Sequence, residues 1–255
     1  MVSQDSAGDA PDARAGFFGK VTSHGDFVGR RLAPSFQQPW DDWLQSGLQQ
    51  SRQALGERWL PTWLNSPIWR FALAPGVCGE HGCAGVVMPS VDRVGRHFPL
   101  TVAAGWGGQV PLLDCVTRYD GWFSRIEELA LSSLRDDFSL DAFDAALCAL
   151  SGQPGVTAVD VPASAGTVIA LDALQPLFAQ LEKPSPRLLQ AAASAALHGH
   201  SLWWTDGAPD VAPCLLVCRG LPAPKAFTAL LDGDWLGHGW GRSSSRTCCV
   251  DSVSG

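Results

Sequence analysis

The chain has 255 residues, 46% of them apolar and 17% charged, a globular composition that excludes general disorder, collagen and coiled coil. Its length allows one large domain or two small ones, and a chain this long buries roughly 70–75% of its unfolded surface without disulfide staples. A formal net charge of −7 argues against nucleic-acid binding, which favours basic surfaces.

Residues 1–15 begin MVSQDSAGDAPDA, polar and acidic with no apolar core. They are expected to form a disordered leader, not a signal peptide. No apolar run approaches the ~18 residues of a membrane span. A cytoplasmic location without membrane insertion is therefore expected, with the eight cysteines reduced.

GFFGKVT (16–22) reads as a strand. A helix is expected to begin near Ser35, with Gln38 completing a capping box and Pro39 tolerated in the first turn. Trp40, Trp43, Leu44, Leu48 and Leu55 then share one face. Strand-like runs follow at 68–74, 84–90 and 97–106 and suit an antiparallel meander. One long helix is expected over 111–134, its stripe running from Leu112 through Trp122 and Phe123 to Ala130. A second, over 140–150, places Asp141 and Asp144 near its positive N-terminal end. A loop at 152–169, helices at 171–182 and 186–198, strands at 201–205 and 213–218, and a short helix at 224–231 complete the order. Ser185, Pro186 and Gly199 punctuate the helix at 186–198.

About six strands mixed with six helices predict an α/β fold: one layered α/β/α sandwich with a mixed sheet over residues 16–240, followed by a flexible Ser-rich tail at 241–255. Eleven tryptophans against one tyrosine sharpen this. Trp203 and Trp204 are neighbours on a strand and point to opposite faces. Both are buried only if the sheet is covered on both sides; otherwise one belongs to an interface.

Two segments concentrate polar chemistry. Ser23-His24-Gly25-Asp26-Phe27 precedes Arg30 and Arg31, and Asp92, Arg93, Arg96 and His97 lie between two strands. A hydroxyl, an imidazole and a carboxylate adjacent in sequence rarely converge in space, and no G-x-S-x-G elbow is present. The second segment reads as an internal Asp–Arg network, an interface or a small-anion site. The two segments are expected to lie together, Asp26 and Asp92 facing Arg30, Arg31, Arg93 and Arg96. Gly19-Lys20 lacks the glycine a P-loop needs, and no dinucleotide fingerprint occurs, so no cofactor is expected. Cys214 and Cys218 sit in an apolar CLLVC run and read as packed thiols, so no metal is expected.

Five ordered blocks carry a resemblance: GFFGKVTSHGDFVGRRL, PWDDWLQSGLQQSR, PIWRFALAPGVCG, AGVVMPSVDRVGRHFPLT, and SLWWT with GLPAPKAFTALLDG. Over residues 16–232 the chain resembles the TagF proteins associated with bacterial type VI secretion. The resemblance implies a cytoplasmic α/β sandwich without enzymatic activity, which represses secretion after translation by binding the forkhead-associated scaffold protein Fha. Some relatives carry a fused phosphatase domain, which is not expected here. The competing expectation is a small hydrolase using His24, Asp26 or His97; it requires those side chains to converge in a concave pocket.

Overall fold

A computed structural model describes residues 14–106, 112–150 and 196–241. The leader to residue 13, the loop at 152–169, the helix at 171–182, most of the helix at 186–198 and the tail beyond 241 lie outside the described residues.

Strands β1 (Gly16–Gly19), β2 (Val28–Arg30), β3 (Trp69–Leu73), β4 (Gly82–Met88), β5 (Leu100–Trp106), β6 (His200–Thr205) and β7 (Cys214–Arg219) form one sheet in the order β2-β1-β5-β4-β3-β6-β7. Every strand pair is antiparallel. The α/β class stands, but the mixed sheet of about six strands is corrected to seven antiparallel ones. Parallel neighbours need a long crossover. Here β3, β4 and β5 meander, β6 and β7 form a hairpin, and β6 returns against β3 in the opposite direction. The extra strand, β2, has only three residues, too few for a period-two signal.

Helices cover both faces. On one lie α1 (Pro34–Leu55), α2 (Trp59–Asn65), α6 (Pro224–Phe227) and α7 (Ala229–Asp232); on the other lie α3 (Leu112–Arg118), α4 (Asp120–Ser132) and α5 (Leu140–Ala149). Strand alternation divides the core between them. Trp69, Phe71, Leu73 and Trp203 join Trp40, Trp43 and Leu44 of α1, whereas Val86, Val102, Leu202 and Trp204 join Phe123, Ile126 and Leu147. Trp203 and Trp204 are both buried, on opposite faces. The three-layer reading of that pair therefore holds.

Local details differ from the sequence reading. No side chain caps α1; Pro34 presets the first turn, and the amides of Phe36 and Gln37 donate to Ala33 O. Starting there puts Pro39 in the second turn, where it lacks the N–H that would reach Ser35 O. The long helix at 111–134 is two helices broken at Tyr119, whose carbonyl accepts from Trp122 and Phe123. Its apolar stripe survives the break, because every stripe residue still packs into the same core. The Ser139 hydroxyl caps α5 by accepting from Ala142 N.

Gly47 tests the packing of α1 on α6. Alanine there would gain about 1 kcal/mol of helix propensity. Its Cβ, however, would stand 2.5 Å from Cγ and 2.7 Å from Cδ2 of Phe227. Those ring atoms lie close to the backbone, so α6 itself would have to move. Gly47→Ala is expected to lower the melting temperature in calorimetry; a rise would contradict this packing.

Candidate functional site

The two polar segments meet. Residues 20–27 connect β1 to β2, and residues 89–99 connect β4 to β5. Because β1 and β5 are paired, both connections leave the same end of the sheet. Arg93 N donates to His24 O at 3.0 Å, and Ser90 Oγ donates to Lys20 O at 2.7 Å. The second loop closes as a tight turn: Asp92 N donates to Arg96 O, Gly95 N donates to Asp92 O, and Gly95 takes φ +85°.

Asp92 is the centre of the arrangement, its carboxylate fully buried. Oδ1 accepts from Val94 N at 3.0 Å and Arg96 N at 2.8 Å. Oδ2 accepts from Lys20 Nζ at 2.7 Å and Arg96 Nε at 2.7 Å. Burial alone would raise the carboxyl's pKa, but Lys20, Arg96 and the two amides outweigh it and hold it well below the usual carboxylate range. Arg96 continues to Gly25 O and reaches Asp26 Oδ1 at 3.7 Å. Lys20 Nζ also lies 4.5 Å from the Phe27 ring centroid, and Phe27 stacks on Phe18 and meets Phe98 edge-on.

Arg30 and Arg31 depart from expectation. They leave Asp26 and Asp92 and pair with α5: Arg30 Nη1 lies 2.5 Å from Asp144 Oδ2 and Nη2 3.1 Å from Asp141 Oδ1, while Arg31 Nη1 lies 2.5 Å from Asp144 Oδ1. Strand β2 carries them along the sheet edge towards α5, away from the loop that precedes it. Arg31 takes φ +61° and donates from Nε to Ala15 O. Burial works to raise the Asp144 pKa, but the two arginines outweigh it and the net shift is downward.

The histidines do not join a common centre. His24 is exposed, with Nδ1 2.8 Å from Ser23 Oγ. Asp26 is exposed beside Arg96. His97 and Trp59 meet edge-to-face with ring centroids 5.8 Å apart, while Arg52 lies over the same indole and reaches His97 O. Two shallow recesses elsewhere, one beside Arg31 and Cys78 and one beside Trp63 and Trp69, include none of His24, Asp26 or His97.

Among the described residues, no three His, Cys, Asp or Glu side chains are grouped to hold a metal, and no helix is long and apolar enough to cross a membrane. Burial pushes the Cys78 and Cys115 thiols up to about 12, so they pack as neutral groups. Cys214 and Cys218 are half-buried, facing the core that contains Trp203.

The sequence reading missed Lys20 as the Asp92 partner and missed a second network. Arg70 on β3 is 6% exposed and bonds Glu127 with two nitrogens, at 2.7 and 2.8 Å. It also reaches Asp120 at 2.8 Å and Asp206 at 3.3 Å. The available signal was an arginine inside the apolar run IWRFALA, since a charge on a buried strand needs partners.

Asp92→Asn keeps the shape of the hub and removes its charge, leaving the buried Lys20 ammonium without a countercharge. Hydrogen exchange at the Val94 and Arg96 amides is expected to accelerate at neutral pH, and melting to fall; unchanged exchange would contradict the hub. The acid dependence has a definite sign. A carboxylate with a lowered folded-state pKa contributes fully above its unfolded value of roughly 4, and that contribution disappears as pH falls through the folded value.

These features define a three-layer antiparallel α/β sandwich that presents two charged loops braced together at one end of its sheet. The chain belongs to the TagF family: the model of the TagF N-terminal domain, described as type VI secretion system-associated, matches residues 16–150. It is also similar to a solved structure, that of PA0076 from Pseudomonas aeruginosa PAO1. Identity is 39% with a TM-score of 0.72, covering 86% of this chain and 94% of that one. No curated protein matches the chain.

Proposed function

We propose that this protein is a non-enzymatic cytoplasmic regulator that restrains type VI secretion after translation by binding the forkhead-associated scaffold protein Fha. Membership of a type VI secretion-associated family supplies the setting. The observation that carries the binding reading is the use made of the polar residues. Asp92, Lys20 and Arg96 are spent on bracing two loops, Arg30 and Arg31 on holding α5, and His24 and Asp26 lie on an open surface. Hydrolysis needs a base, an orienting acid and a nucleophile converging on one substrate atom. Binding needs only a rigid surface.

Deleting the gene is expected to raise secretion with transcript levels of the secretion genes unchanged, and overproduction to silence it. The purified protein should capture purified Fha. Altered transcript levels, or silencing without capture, would overturn the reading.

A further inference from the structure

We propose that Arg93, Val94 and Phe27 form a preorganised contact surface that takes an acidic side chain of a partner protein, flanked by apolar residues of that partner. The proposal rests on the binding reading above and deepens it: it separates the residues that touch a partner from those that only hold the loops.

The division follows from what each side chain does. Asp92, Lys20 and Arg96 are committed to one another. Arg93 is different. Its backbone is fixed to His24 O, yet its exposed guanidinium takes no ion-pair or hydrogen-bond partner among the described residues. Val94 follows it, 65% exposed, with its backbone N–H fixed to Asp92 Oδ1. Phe27 is 48% exposed and held from beneath by Phe18, Phe98 and Lys20. Thus a cation and two apolar groups stand in solvent on a backbone that cannot relax away from it. Arginine and aromatic residues dominate binding energy at protein interfaces, and a fixed backbone removes the ordering cost of association.

Charge selects the occupant. At the loops the cations Lys20, Arg93 and Arg96 outnumber the carboxylates Asp26 and Asp92, and Arg52 adds a further positive charge beside His97. This is a positive spot on a chain of net charge −7. The surface therefore fits a carboxylate-bearing segment and repels a basic one.

The test uses the full chain with Arg93→Glu and Val94→Glu. Arg118→Glu and Leu64→Glu serve as controls, being exposed residues on α3 and α2. All four should melt within about 2 °C of wild type. Arg93→Glu should weaken binding to purified Fha at least about tenfold and abolish silencing on overproduction, Val94→Glu should weaken both, and the controls should change neither. Wild-type affinity should fall as NaCl rises from about 50 to about 300 mM, and more steeply than that of Arg93→Ala. If the charge reversals lower melting, Arg93→Ala and Val94→Ser, which only remove or trim atoms, decide by the same readouts. Variants that fold, bind and silence like wild type overturn the surface and leave the regulator reading standing. Silencing by wild type without Fha binding, lost on Arg93→Glu, overturns Fha as partner and keeps the surface. Wild type that neither binds nor silences overturns both.

Discussion

Trp203→Ala is expected to destabilise the protein by about 3–5 kcal/mol, the range for emptying a large aromatic site in a packed core. Trp203 is fully buried and lies 5.9 Å from Trp40, 5.1 Å from Trp43 and 5.6 Å from Phe71, measured between ring centroids. Its indole N–H donates to Ser201 Oγ, which donates in turn to Gly220 O. Truncation would open a cavity between β6 and α1 and remove a donor from Ser201. The neighbours cannot readily collapse inward, because Trp40 is itself tied to Thr101 Oγ1 and Trp43 to Pro222 O. Urea denaturation should show a lower midpoint with an unchanged slope, the signature of lost stability without a changed unfolded state. A loss below about 1 kcal/mol would mean that α1 does not pack on β6 as described.

Arg70→Ala is expected to cost about 3 kcal/mol, the lower end of the range for breaking a buried pair. The lower end applies because two of its three carboxylates, Asp120 and Asp206, are largely exposed and regain water when the arginine is lost. Glu127 is only 19% exposed and would be left as an uncompensated charge under α4. Replacing both members with apolar residues of similar size removes that charge. The double variant Arg70→Met, Glu127→Leu should therefore recover more than half of the lost stability. A double variant no better than Arg70→Ala would show that the network contributes directional bonds that apolar packing cannot replace.

Much of the layering could be read directly from residues. Strand-length apolar runs at 68–74, 84–90 and 97–106 marked three central strands, and adjacent Trp203 and Trp204 called for a sheet covered on both faces or for one of the pair at an interface. The break at Tyr119 left no trace, because α3 and α4 keep their apolar residues in helical phase across it. The start of α1 was read to within a residue or two, but its cap was not, because Ser35 and Gln38 imitate a capping box directly after Pro34, which opens the helix. At the loops, the closeness of the two polar segments followed from charge complementarity, but the pairing did not. Arg30 and Arg31 are near Asp26 in sequence, and β2 carries them to Asp141 and Asp144, more than a hundred residues away. Lys20 was legible only as an incomplete phosphate-loop motif. Its partnership with Asp92 depends on the β1–β5 pairing, which local periodicity does not encode.

The proposal that this protein restrains secretion by occupying a scaffold, and not by chemistry, is tested most directly by titrating one against the other in cells. Secretion would be measured while the regulator is held constant and Fha is raised stepwise. Stoichiometric binding predicts that secretion returns once Fha exceeds the regulator in number, with the threshold moving in proportion when the regulator is doubled. An enzyme acting in small amounts would keep secretion silent across that range, and such a result would contradict the account.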